Sequence, residues 1–123
     1  MALARRSLRV SAASASRDFA AFAAGIDGTV IRPEDEAYEA AREVHNATVD
    51  RRPLAIVKAA STADVARTVV FARETGLELA VRGGAHSLAG FGTTEGGIVL
   101  DLGLMKGLHI DPARRLAWAQ AGL

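Results

Sequence analysis

Residues 54–84, LAIVKAASTADVARTVVFARETGLELAVRGG, carry the pattern on which the fold turns. Leu54–Ala60 is a short apolar run with β-branched Ile56 and Val57, the mark of a buried strand. Ser61 and Asp64 follow at capping-box spacing, with Asp in place of the usual Glu or Gln. The helix that starts there sets Val65, Val69 and Ala72 along one face, adds Val70 and Phe71 beside them, and meets a terminating glycine at Gly76. A second strand, Leu77–Arg82, follows at once. Strand, helix and strand within about thirty residues make a β-α-β unit, so the two strands are expected to be parallel, with a right-handed crossover.

The stretch directly downstream, VRGGAHSLAG at 81–90, gathers glycines around an arginine and a histidine. Glycines just beyond a strand permit positive φ and let backbone N–H groups approach a ligand closely, which suits an anion. Two common phosphate loops fail on spacing. The dinucleotide fingerprint G-x-G-x-x-G would need glycine at Ala85 and Leu88, or at His86, and no Gly-Lys-Ser/Thr follows for a Walker loop. A helix after the loop is also unexpected, because SLAGFGTTEGG is too rich in glycine to hold one.

Working outward, Ser16–Ala24 reads as a short helix with Phe19, Phe22 and Ala23 at helical spacing and Gly25 at its end. A turn at Asp27-Gly28 and a brief extended piece precede a helix expected from Pro33 to His45, with Glu34, Asp35 and Glu36 in its first turn. Beyond the loop, Gly97–Leu102 reads as another buried strand. Leu108 and Ile110, then Leu116, Trp118 and Gln120, alternate about Asp111-Pro112, which predicts an antiparallel hairpin. The chain ends as that strand finishes, with its outer edge uncovered. We therefore expect a leader over 1–18, and over 19–123 the N-terminal part of a larger domain.

Composition narrows the function. A chain of 123 residues supports one small domain. Fifteen basic against fourteen acidic side chains supply no field to attract nucleic acid or an anionic membrane. The absence of cysteine removes thiolate metal sites and thiol nucleophiles. No apolar stretch approaches the ~20 residues of a transmembrane helix. The arginine- and serine-rich start, MALARRSLRVSAASAS, has features of a targeting signal, but Arg17 and Asp18 interrupt the apolar segment that export requires. A cytoplasmic location is expected, with export as the lower-ranked alternative.

VRGGAHSLAG, GGIVLDLGLMKGLHID and AWAQAGL together resemble the FAD-binding PCMH-type domain of the vanillyl-alcohol oxidase superfamily, in its berberine-bridge-enzyme-like and 6-hydroxynicotine-oxidase-like branches. The similarity extends back through VHNATVDRRP to about Ile31. It implies an α+β fold: a small β-α-β first subdomain, then the first strands of a second, antiparallel subdomain. It also implies a cofactor, FAD, whose diphosphate lies on the loop from Gly83 to Ser87, with His86 bonded to the 8α-methyl carbon of the isoalloxazine ring and Gly90 keeping the loop's exit compact. A neutral imidazole suits that chemistry, being nucleophilic near neutral pH without a thiolate.

Arg82 has two readings, one offsetting diphosphate charge and the other facing a structural carboxylate. Ala85 departs from the glycine frequent in bacterial relatives and would be strained if its φ were positive. Gly103 stands where serine is common. The cysteine of bicovalent relatives would lie beyond Leu123.

Other readings rank lower. A structural role for His86 comes second, and a metal third, because His45, His86 and His109 lack ligand spacing. Ser87 beside His86 does not make a hydrolase. His45 and His109 are expected in packing or surface roles, Asp101 at a strand end organising the following turn, and Trp118 in the core. The function expected is the FAD-binding portion of an oxidoreductase acting on a small organic substrate, with an electron acceptor as second partner, and catalytically incomplete alone. The alternatives are a non-catalytic remnant or partner-dependent module and, lower, a non-flavin nucleotide binder.

Overall fold

Strand β2 (Ala55–Lys58) and helix α3 (Thr62–Thr75) form where the apolar run and its cap predict them. In the computed structural model, which describes the backbone over residues 12–123 and side chains from Asp18 onward, they sit among α1 (Ala12–Ala24), β1 (Thr29–Ile31), α2 (Tyr38–Arg42), β3 (Leu79–Arg82), β4 (Ile98–Asp101), β5 (Leu108–Asp111) and β6 (Leu116–Ala119). Helix α1 starts earlier than Ser16, and the leader ahead of Ala12 lies outside the described residues.

The main sheet runs β1-β2-β4-β3. Strands β2 and β3 are parallel, as expected of a β-α-β unit, but they are not neighbours, because β4 inserts between them and pairs in parallel with each. Burial explains that order. Ile98, Val99 and Leu100 of β4 are almost wholly inaccessible, as a strand covered on both faces and both edges must be. Strand β3 carries small Ala80 and leaves Val81 exposed, which suits an edge. Strand β1 closes the opposite edge, antiparallel to β2.

Two apolar clusters flank the sheet. Ile31, Tyr38, Ile56, Ala80 and Val99 form one, into which α2 sends Tyr38, its hydroxyl donating to Pro53 O at 2.6 Å. Val57, Ala59, Ala72, Ile98 and Leu100 form the other, beneath α3, with Phe22 of α1 and Phe71 of α3 stacked at 4.1 Å beside them.

Three expectations need correction. The helix expected from Pro33 to His45 shrinks to Tyr38–Arg42. Its acidic start is instead a turn, in which Asp35 accepts from Arg32 N at 2.7 Å through its side chain while its own N–H donates to Arg32 O. Short polar side chains near helix starts compete for backbone in this way. Its end is set by Glu43, which is extended.

The buried face of α3 is Asp64, Thr68 and Ala72, with Val65 and Phe71 half-buried and Val69 and Val70 exposed. Ser61 caps the helix by accepting from Asp64 N, but the Asp64 carboxylate reaches outward to Asp27 N, Gly28 N and Ala60 N at 2.8–3.0 Å. A polar residue therefore lies inward because it ties the β1 turn to the end of β2.

Strands β5 and β6 pair antiparallel as the alternation predicts, in a separate two-stranded sheet. Trp118, expected in the core, is 52% exposed, and Leu108, Ile110 and Leu116 are exposed with it. A lone ribbon has no layer among the described residues to cover either face.

Candidate cofactor-binding site

The three parallel strands end in one row, since the register aligns Lys58 of β2 with Asp101 of β4, and Asp101 with Arg82 of β3. In open parallel sheets this carboxyl edge is where ligands bind. Here it borders a cleft of about 380 Å³ lined by Lys58, Arg82, Gly83, Gly84, Asp101 and Lys106, among others.

From Arg82 the chain turns into the glycine loop. A Cβ on Gly84 would lie 2.6 Å from Cδ2 of His86 and 3.0 Å from its Nε2, so only glycine lets the imidazole fold back there. Ala85 takes φ 59°, the left-handed conformation that the sequence flagged as strained. Gly90 has φ 75°, and a Cβ on it would come within 2.9 Å of Val49, so conformation and packing both call for glycine. Ser87 uses its hydroxyl to accept from Phe91 N at 3.1 Å and its carbonyl to accept from Gly90 N. It is a turn-forming residue here.

The loop's donors are its chief chemical feature. Among the described residues, the amides of Gly83, Gly84, Ala85, His86 and Ser87 donate to no protein acceptor. Consecutive N–H groups of this kind form a cradle for an anionic oxygen cluster. The His86 side chain is exposed rather than committed to the core.

A second segment holds the loop in place. His45 N donates to Ala85 O at 3.0 Å, and Asn46 Nδ2 donates to Leu88 O at 2.9 Å. Arg51 Nη1 reaches Gly90 O and Thr93 O. The stretch VHNATVDRRP is thus a clamp on the loop, which its polar composition alone did not announce. It also brings the His45 ring to 5.1 Å from that of His86, centroid to centroid, tilted by 56°. His109 is not part of this group and packs against Trp118 on the hairpin at 5.5 Å.

Of the two readings for Arg82, the structure has the carboxylate. Its Nη2 lies 2.9 Å and its Nε 3.0 Å from Asp101 Oδ2, with both side chains largely buried. The same guanidinium donates to Ala41 O and Glu43 O, taking up carbonyls at the end of α2. Asp101 also accepts from Gly103 N at 2.8 Å, organising the turn after β4 as expected. Arg82 therefore lines the cleft with its charge already matched. Lys58 and Lys106, neither singled out by the sequence, also line it, and among the described residues they pair with no carboxylate. No group of three His, Cys, Asp or Glu side chains among those residues is placed for a metal.

The sequence model of a family described as "FAD binding domain" matches residues 53–123, more than half of the chain. The chain belongs to the FAD-binding domain family. (R)-6-hydroxynicotine oxidase of Paenarthrobacter nicotinovorans is 43% identical over 88 residues, which cover 72% of this chain and 19% of that protein. Berberine bridge enzyme-like 9 of Arabidopsis thaliana is 36% identical over 74 residues, 58% of this chain and 14% of that protein. Among solved structures, berberine-bridge-enzyme-like 1 of Physcomitrella patens superposes with a TM-score of 0.77 at 27% identity, covering 84% of this chain and 23% of that one. The 6-hydroxy-D-nicotine oxidase of Arthrobacter nicotinovorans gives 0.69 at 43% identity, covering 72% and 19%. This FAD-binding domain thus has the α+β PCMH-type fold that the sequence resemblance implied, and it spans about a fifth of the length of these relatives.

Proposed function

We propose that this chain is the FAD-binding part of a flavin-dependent oxidoreductase that oxidises a small organic substrate, with the flavin attached through His86. The observation that carries the reading is the run of amides from Gly83 to Ser87 without protein acceptors among the described residues, at the carboxyl edge of three parallel strands. Those amides hold the diphosphate, Lys58 and Lys106 add positive charge at the cleft, and Gly90 keeps the exit tight. Arg82 contributes by locking β3 to β4 and to α2, so the loop leaves the sheet at a fixed angle. His86, exposed beside the cradle, presents a nucleophilic imidazole. FAD, when bound, supplies a two-electron acceptor for the substrate.

Substrate-facing groups are supplied from outside these residues, and the chain alone is catalytically incomplete. The names of its relatives, an (R)-6-hydroxynicotine oxidase and several FAD-linked oxidoreductases, support small-molecule oxidation as the class.

The test is made on the product of the intact coding sequence, purified and denatured in acid. The expected result is flavin fluorescence that stays with the polypeptide in a denaturing gel, a mass gain of one FAD less two hydrogens, and loss of both in His86→Ala. FAD released on denaturation restricts the site to non-covalent binding. Failure to bind FAD at all overturns the reading.

A further inference from the structure

We propose that His45 is the positioning and proton-accepting partner of His86 in flavin attachment, an inference that rests on the attachment proposed above. The rings are 5.1 Å apart and tilted by 56°, and both side chains are exposed, so apolar burial does not account for their meeting. What holds them together is hydrogen bonding to the loop's carbonyls: His45 N donates to Ala85 O, one residue before His86, and the Asn46 side chain donates through Nδ2 to Leu88 O, two residues after it. The two histidines are therefore fixed at the base of one loop with their rings side by side.

Attachment requires such a partner. A bond forms between an imidazole nitrogen of His86 and the 8α carbon. The carbon gives up one proton and the imidazole gives up another from its second nitrogen, and the two electrons left in the ring pass, with two protons, to dioxygen, which leaves as hydrogen peroxide. An imidazole can release its N–H while its other nitrogen attacks, provided a base stands beside it. Of the other groups nearby, Ser87 accepts from Phe91 N and Asp101 from Arg82 and Gly103 N, and Glu43, which lines the cleft, makes no hydrogen bond to His86. No carboxylate among the described residues hydrogen-bonds His86. His45 is the group whose ring stands beside that of His86, and among the described residues its side chain makes no hydrogen bond.

The experiment follows the rate of covalent incorporation after the intact gene product, prepared free of flavin, is mixed with FAD in air. Gel fluorescence reads attachment, and fluorescence quenching reads non-covalent FAD affinity separately. His45→Ala and His45→Gln are expected to slow attachment by about a hundredfold, the usual scale of proton-transfer assistance, with non-covalent affinity and melting temperature preserved. Added imidazole is expected to restore part of the rate in His45→Ala, which a merely structural role would not allow. Attachment at the wild-type rate in both variants overturns the role of His45 while leaving His86 in place. Slowing without imidazole rescue also overturns it. Wild-type protein that never holds covalent flavin overturns both proposals.

Discussion

Arg82 and Asp101 meet as a largely buried ion pair at the ends of adjacent parallel strands, and the same guanidinium takes up carbonyls at the end of α2. Breaking a buried pair from one side strands the other charge, at a cost of about 3 kcal/mol or more. Arg82→Lys is expected to lose about that much, because a point ammonium cannot serve a carboxylate and two carbonyls in the way the planar fork does. Asp101→Asn should cost a similar amount, and the double variant much less than the sum. Urea unfolding of the two single variants and the double variant measures this coupling, and additive losses would refute it.

Ala85 holds a left-handed backbone conformation that glycine adopts more readily. Holding an alanine at φ 59° costs about 1 kcal/mol, partly offset by the extra freedom that glycine has in the unfolded chain. Ala85→Gly is expected to raise the melting temperature by a few degrees, roughly what somewhat under 1 kcal/mol does in a domain of this size. Ala85→Val should lower it. The two melts together read whether the loop keeps its left-handed residue in solution.

Asp64 makes stability depend on acid. Burial pushes its carboxyl up, but the amides of Asp27, Ala60 and Gly28 outweigh burial and hold it below its ordinary value. A carboxylate depressed in the folded state stabilises the fold above its unfolded pKa of about 3.9, and that contribution is lost as pH falls through the folded value. Asp64→Ala should therefore cost about 3 kcal/mol at neutral pH, through the amides left without an acceptor. It should also show a smaller loss than wild type on acidification below about pH 4. Unfolding curves at neutral and acid pH decide, and equal slopes for both proteins would count against it.

The sequence by itself determined most of the local elements and the position of the glycine loop. Apolar runs bounded by caps located β2, α3, β3 and β4, turn residues located the hairpin, and a glycine cluster around His86 marked the loop at the sheet's carboxyl edge, because each of these signals lies within a few neighbouring residues. Tertiary structure decided what depends on distant partners. Strand β4 lies between β2 and β3 because the most apolar strand takes the doubly covered place. Asp64 faces inward because it serves amides from a turn 36 and 37 residues away. Arg82 faces Asp101 because parallel register sets their strand ends side by side. His45 stands beside His86 because hydrogen bonds to loop carbonyls, from its own N–H and from the Asn46 side chain, reach across some forty residues to place it there, and such contacts leave no periodicity in the sequence.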